Sequence, residues 1–391
     1  MTTVSLTAGL PPRDRLELGG LAALLGMVAA LQLSIAVAQI CLALACLCWV
    51  TSNVWHGRRL EAPRFFWALV AYAALTLLSA SFARNAAASV ADCRQLTLFL
   101  LVPLVYDLAR GSRARSMLSL ILTIGAASAI IGITQYGILN YDNLNQRVQG
   151  TLSHWMTYSG TLMLVICAAV ARLLYDTRDR AWALAIMPAL VVGLALTLTR
   201  SAWVGTAAGV GVLFLMKDFR LLALLPIAAV LTLTFGPAAL TNRVYSIGDM
   251  QDETNRDRMA MLQAGAAIVA EHPLTGVGPD QIAVVYPAYR VPSAVKASNL
   301  HLHNVPMQIA AERGLPALAA WIWFVALLSG GLLWLFKRGR HRALTAAAVS
   351  AVVAMLIAGL FEYNFGDSEF LMLFLVLVTL PFAAERDGGL P

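Results

Sequence analysis

From Leu18 to Trp55 the chain contains no aspartate, glutamate, lysine or arginine. A run of that length can cross a lipid bilayer twice, because about 20 apolar residues make one helical span. Inside a bilayer every backbone polar group must find its partner within the protein, so such a run is helical. The same pattern recurs downstream. Of 391 residues 59% are hydrophobic and 13% are charged, against about 25% charged in a typical soluble domain. The fold class expected is an all-α polytopic membrane protein. Hydropathy gives about twelve spans, near 16–33, 36–55, 64–82, 93–109, 116–138, 157–175, 181–199, 201–216, 219–239, 316–336, 343–361 and 367–384. The seventh and eighth meet at Arg200 with almost no loop. The polar first 17 residues lack a small-residue cleavage site behind a short apolar core, which argues against a cleaved signal peptide.

Short basic clusters set the expected orientation. With the N-terminus in the cytoplasm, 18 of the 28 Lys and Arg fall in cytoplasmic segments, four in short segments on the other side and six in one long loop. Long loops count little toward topology, so the useful comparison is 18 against four. Both termini are expected in the cytoplasm and the long loop outside it. The net charge of +7 then reads as a topology signal, and no nucleic-acid partner is expected. The cysteines, Cys41, Cys46, Cys48, Cys93 and Cys167, form no CxxC zinc pattern and read as small apolar packing residues.

The long polar loop divides the chain into 1–240 with nine spans, 241–315, and 316–391 with three spans and a short tail. Two helices are expected within it. Thr254 to Asp257 fits a capping box, a hydroxyl cap with an acid three residues later, followed by helix from Arg258 to Ala270 and a stop at Pro273. Met261, Leu262, Ile268 and Val269 would form its apolar face. Gly276-Val277-Gly278-Pro279 reads as a turn. It lacks the Lys and Ser/Thr of a phosphate-binding loop and carries no nucleotide meaning. The second helix is expected from Asn304, a good N-cap, with Pro306 tolerated in the first turn. It would run toward Glu312 and break at Gly314 and Pro316. His303 then stands at the positive end of a helix, which attracts anions and favours a neutral imidazole able to accept a proton.

The order of these segments resembles the bacterial O-antigen ligase family, within the O-antigen ligase and polymerase superfamily. Leu198-Thr199-Arg200-Ser201-Ala202-Trp203 is similar to the family's arginine-containing helix junction, with Arg-Ser in place of the commoner Ser-Arg. Arg258 with Met261 and Leu262, then His272 to Gly278, resembles its first loop helix and turn. His303-Asn304 and Glu312-Arg313-Gly314-Leu315 resemble its His-Asn and Glu-x-Gly segments. Arg147 to His154, with Gly150-Thr151-Leu152-Ser153, resembles an earlier family segment.

The resemblance implies a GT-C-like glycosyltransferase of the bacterial inner (cytoplasmic) membrane with its active site facing the periplasm. The donor would be an O-antigen chain on undecaprenyl pyrophosphate and the acceptor a sugar hydroxyl of lipid A–core, both met among membrane lipids. Such a transfer needs a base for the acceptor hydroxyl and cations for the departing pyrophosphate. His303 is the expected base. Arg200 and Arg258 are the expected pyrophosphate clamps, since a guanidinium can hold phosphate oxygens bidentately. Arg147, His154, His301, Asn304 and Glu312 are further candidates for substrate contact, although Glu312 also suits a pairing with Arg313. Glu362, Asp367 and Glu369, near the last two spans, suit pairing with loop arginines rather than catalysis. Asp249, Asp252, Glu253 and Asp257 are too loosely spaced for a metal site, so neither metal nor cofactor is expected.

An O-antigen polymerase or an O-oligosaccharyltransferase would use the same donor. A polyprenyl-glycan transporter is the alternative of a different class, but transporters place ionisable groups at the bilayer midplane and use broken helices. Here the spans are almost free of charge.

Overall fold

The computed structural model describes residues 12–137, 147–152 and 154–386. The polar start through residue 11 and Ser153 of the family-like segment lie outside the described residues. Among those described, all regular structure is helical. The chain enters through α1 (Pro12–Ala30), α2 (Ile35–Trp55), α3 (Phe65–Ser81) and α4 (Ala86–Asp92). A 3₁₀ stretch, Cys93–Leu100, leads to α5 (Leu101–Leu108), then α6 (Ser112–Gly137), α7 (Trp155–Tyr175), α8 (Arg180–Leu196) and α9 (Arg200–Lys217). A second 3₁₀ turn, Phe219–Ala223, opens α10 (Leu224–Phe235). The polar segment holds α11 (Ala238–Tyr245), α12 (Glu253–Glu271) and α13 (Ile282–Tyr289). The chain closes with α14 (Val305–Arg338), α15 (Arg342–Ala358), a 3₁₀ turn at Asn364–Gly366 and α16 (Ser368–Ala384).

Every expected span overlaps helix among the described residues, but length and hydropathy together divide them. Five helical stretches are long and apolar enough to cross a membrane: Ile35–Trp55, Ala86–Leu108, Ser112–Gly137, Trp155–Tyr175 and Val305–Arg338. Five more apolar helices are shorter. The chain is thus a multi-pass membrane protein. α7 lies at its centre, with most of its length buried, and α15 and α16 are nearly as enclosed. α15 packs on α7 and α9, and α14 on α3. Outward-facing Ile40, Leu47, Trp67, Leu77, Val230 and Phe235 stay exposed. Lipid is the solvent such a surface suits. All five cysteines are free thiols, as expected for packing residues.

One expectation about a helix end is corrected. α12 is capped by Asp252, whose carboxylate accepts the Asn255 N–H at 3.2 Å, not by Thr254. Asp252 also receives Arg200 at 2.9 Å, and a charge-assisted cap of this kind outcompetes a neutral hydroxyl. Asp257 is freed from the capping box and instead accepts the backbone N–H groups of Val295 and Lys296, each at 3.1 Å. At Gly314 the helix breaks as expected: the residue is non-helical, at φ 79° and ψ 168°, and helix resumes after it as the second half of α14.

That kink is where two of the family-like segments meet. Val277 and Gly278 donate their N–H groups to the carbonyls of Ala311 and Glu312, and Leu315 donates to Pro273. Ser79 of α3 bonds both Thr275 and Glu312 carbonyls, at 2.6 and 2.9 Å. The orphan carbonyls of the broken helix are thereby satisfied. A Cβ on Gly276 would lie 2.3 Å from the Glu312 carbonyl carbon, and one on Gly314 would lie 2.2 Å from the Leu274 oxygen. Both glycines also have positive φ, so this crossing requires glycine on each strand of chain.

Candidate functional site

His303 begins the site as a strained residue. Its φ is 50°, a left-handed conformation that costs a non-glycine residue about 1–3 kcal/mol and persists only where the surroundings enforce it. The enforcement is visible. Asn304 caps α14, accepting the Met307 N–H at 2.9 Å, as expected from the sequence, and donates its amide to the Leu360 carbonyl at 3.1 Å. Val305 donates to Gly359 at 2.7 Å. Gln308 accepts the Leu302 N–H at 2.7 Å. The His301-Leu302-His303 segment is therefore fastened to α14 on one side and to the chain following α15 on the other.

The fastening brings Glu362 to the histidines. His303 Nδ1 lies 3.0 Å from both Glu362 carboxylate oxygens, and His301 Nε2 lies 3.3 Å from Oε1. Burial works against the Glu362 charge, but hydrogen bonds from His301 and His303 outweigh it and hold the carboxyl well below the usual carboxylate range. An ionised carboxylate on Nδ1 selects the tautomer with a proton there, which leaves the Nε2 lone pair as the acceptor. The sequence reading paired Glu362 with loop arginines; its hydrogen-bond partners are the two histidines, with Arg258 felt through space. Its role had no local signal, because 59 residues separate it from His303.

On one side of this pair lie four arginines. Arg200 and Arg258 line a narrow cleft with Ser201, Asn255 and Phe361. Burial and then the neighbouring Arg243, Arg200 and Arg258 push Arg147 down to about 10. Arg147 also lies over the Trp155 ring, 5.4 Å from its centroid. Arg243 and Arg258 are likewise lowered, burial first, with Arg200 among the repelling charges. Arg243 was missed by sequence reasoning; its helix, α11, is short and polar and carried no motif.

The four are not equivalent. Arg200, buried at the N-terminus of α9, spends its donors inside the protein: Nη1 on the Ser246 carbonyl and hydroxyl, at 2.5 and 2.9 Å, and Nη2 on Asp252. It ties the start of the polar segment to the bundle. Arg258 is half-buried, and its Nε is sealed from solvent with no partner. Among the described residues no acceptor hydrogen-bonds any of its nitrogens. A guanidinium with unspent donors beside three other cations is a site for an anion with several oxygens.

His301 and Glu362 also line a cavity of about 460 Å³, together with His154, Glu312, Arg313 and Asp367 among others. His154 caps α7, its Nδ1 accepting the Met156 N–H at 3.2 Å, and its ring stacks on Trp155. Burial lowers its pKa, against the pull of Glu362 and Asp367, which keeps it an acceptor at the cap. Glu312 bonds Arg313 at 2.5 Å and accepts the Asp280 N–H at 3.0 Å, the pairing anticipated from sequence. Asp367 caps α16 and bonds Thr157. Glu369 has no side-chain contact to the histidines or the arginines among those described.

The structure thus brings His303, His301, Arg200, Arg258, Arg147 and Asn304 to one end of the bundle, with His154 and Glu312 on the cavity wall. Residues 183–322 match the O-antigen ligase family model. The matched stretch runs from α8 through the kink into α14 and includes Arg200, Arg243, Arg258, His301 and His303; Arg147, His154 and Glu362 lie beyond it. No curated protein matches the chain.

Proposed function

We propose that this member of the O-antigen ligase and polymerase superfamily is an O-antigen ligase of the bacterial inner membrane. It would transfer glycan from undecaprenyl pyrophosphate to a sugar hydroxyl of lipid A–core on the periplasmic face. The observation that carries the reading is the His303–Glu362 pair, with Glu362 on the wall of a polar cavity and its neighbour Phe361 on the wall of the Arg200–Arg258 cleft.

The division of labour follows from that arrangement. The acceptor sugar enters from the cavity, where carboxylates and amides suit hydroxyl groups. His303 Nε2 takes the hydroxyl proton as the oxygen bonds the anomeric carbon. The bond from that carbon to the pyrophosphate oxygen breaks, and the lipid pyrophosphate leaves with the electron pair. Glu362 holds the imidazole in register and stabilises the imidazolium that forms, as an orienting carboxylate does in other base–carboxylate pairs. Arg258 meets the pyrophosphate with its free donors, Arg147 and Arg243 add charge, and Arg200 contributes charge while anchoring the loop. Arginines here take the role that a divalent metal plays in many pyrophosphate-releasing enzymes. A single displacement inverts the anomeric configuration.

The test is an in vitro transfer with purified protein, undecaprenyl-pyrophosphate glycan and lipid A–core. High-mass lipopolysaccharide from the unaltered protein, absent with His303→Ala, supports the ligase. Lengthening of the donor glycan without lipid A–core identifies a polymerase instead.

A further inference from the structure

Two imidazoles and a carboxylate converge at the heart of the site. His301 Nε2 and His303 Nδ1 approach the same oxygen, Glu362 Oε1, at 3.3 and 3.0 Å. The two rings are 4.3 Å apart, and one donor atom from each residue lies within 4.8 Å of the others. Ligands about 2.05 Å from a tetrahedral zinc ion stand ~3.3 Å from one another. The two histidine-to-carboxylate separations already have that spacing, and the two histidine nitrogens lie within 4.8 Å of each other. Two nitrogens and one oxygen suit zinc and its neighbours, whereas magnesium and calcium take oxygen ligands. The ligands are also held in advance by Gln308 on Leu302 and by Asn304 on Leu360, so little ordering is left for the metal to impose.

We propose that His301, His303 and Glu362 form a binding site for a divalent transition-metal ion of the zinc type, and that its occupation switches the transferase off. The second half rests on the reading of His303 as the base. With a proton between ring and carboxylate, His303 donates Nδ1–H to Glu362 and keeps a lone pair on Nε2. A metal bound at Nδ1 uses the lone pair there, and the ring proton relocates to Nε2. The neutral ring loses no proton overall, but Nε2–H is now a donor and cannot accept the hydroxyl proton. The ion also draws Glu362 away from its orienting bond. Two causes of inactivation thus follow from one binding event. Arg258, which feels the Glu362 charge, opposes the incoming cation. This makes the site reversible rather than permanently loaded.

The experiment titrates zinc chloride into the purified, detergent-solubilised full chain against a chromophoric zinc indicator, with transfer measured in the same samples. One equivalent should bind, undisturbed by a large excess of magnesium, and transfer should fall in step with occupancy. A chelator should restore it and should leave zinc-free protein at full activity. His301→Gln and Glu362→Gln, which keep side-chain size, should each weaken binding by about tenfold or more. Failure to bind zinc, or binding unchanged in both variants, overturns the site. Transfer that is unaffected or raised by bound zinc overturns the switch. If no transfer occurs under any condition, the ligase reading falls, while the indicator titration still decides the metal site.

Discussion

Arg172 and Arg258 are both withdrawn from bulk solvent, yet they do opposite things. Arg172 sits near the C-terminal end of α7, about 27 Å along the helix from His154 by the rise of 1.5 Å per residue. It is fully buried, and its Nη groups bond Ser119 at 2.7 Å and the Arg115 carbonyl at 3.2 Å, with Asp179 at 3.5 Å. It joins α6, α7 and the turn before α8. Arg258 bonds nothing among the described residues and stands among three like charges. The Nε of each is without a partner, so the contrast lies in the Nη groups: a protein that pairs them in one arginine and crowds the other against cations holds the second at a cost to its own stability. The difference teaches where to look for a ligand: at the cation whose donors the fold leaves unspent.

The predictions press on that contrast, beginning at its centre. His303→Ala should lower transfer by about 10²–10⁴-fold, the usual worth of a general base, with binding of the lipid pyrophosphate retained; a variant that keeps its rate removes the base assignment. Arg258→Ala should cost about 10²–10³-fold in transfer, as loss of a transition-state charge partner does, with thermal stability unchanged or raised. Arg172→Ala should do the reverse, losing about 2 kcal/mol of stability through its charged hydrogen bonds, visible as a lower Tm, while the fraction that stays folded keeps its turnover. Equal effects of both arginines on Tm would erase the comparison. Glu362→Gln should reduce turnover by about 10–100-fold, as removal of an orienting carboxylate does.

The smallest effect is one of pH. The Glu362 carboxyl is held below its usual range, so its folded value lies under its unfolded one. Its contribution to stability is then present above the ordinary carboxylate value of 4.5 and is lost as pH falls through the lower folded value. The Tm gap between the natural protein and Glu362→Gln should therefore be constant near neutrality and close progressively below about pH 4.5. A gap of the same size at pH 3 as at pH 6 would mean that Glu362 acts through packing rather than charge.

Much of this was readable along the chain. The helical segments, the Arg200 junction, the Asn304 cap and the break at Gly314 all depend on residues within one turn of each other. Periodicity, capping and glycine act at that range. The Asp252 cap was misread as Thr254 because the deciding partner, Arg200, lies on another helix. Glu362 was set aside for a similar reason: nothing in Phe361-Glu362-Tyr363 announces that Asn304 and Val305 will draw that loop to the histidines. Arg243 went unnoticed because only its neighbours in space make it part of a charge cluster.

By itself, then, the sequence determined a helical membrane protein with one polar segment and a resemblance to a superfamily carried by short motifs. Hydropathy and local backbone preference are properties of consecutive residues, so they survive in a one-dimensional reading. Only the tertiary structure decided which arginine keeps its donors free, which carboxylate orients His303, and that His301, His303 and Glu362 share one point in space. Those are matters of distance between groups far apart in the chain, and electrostatic and hydrogen-bond energies depend on distance, orientation and surroundings in space rather than on sequence separation.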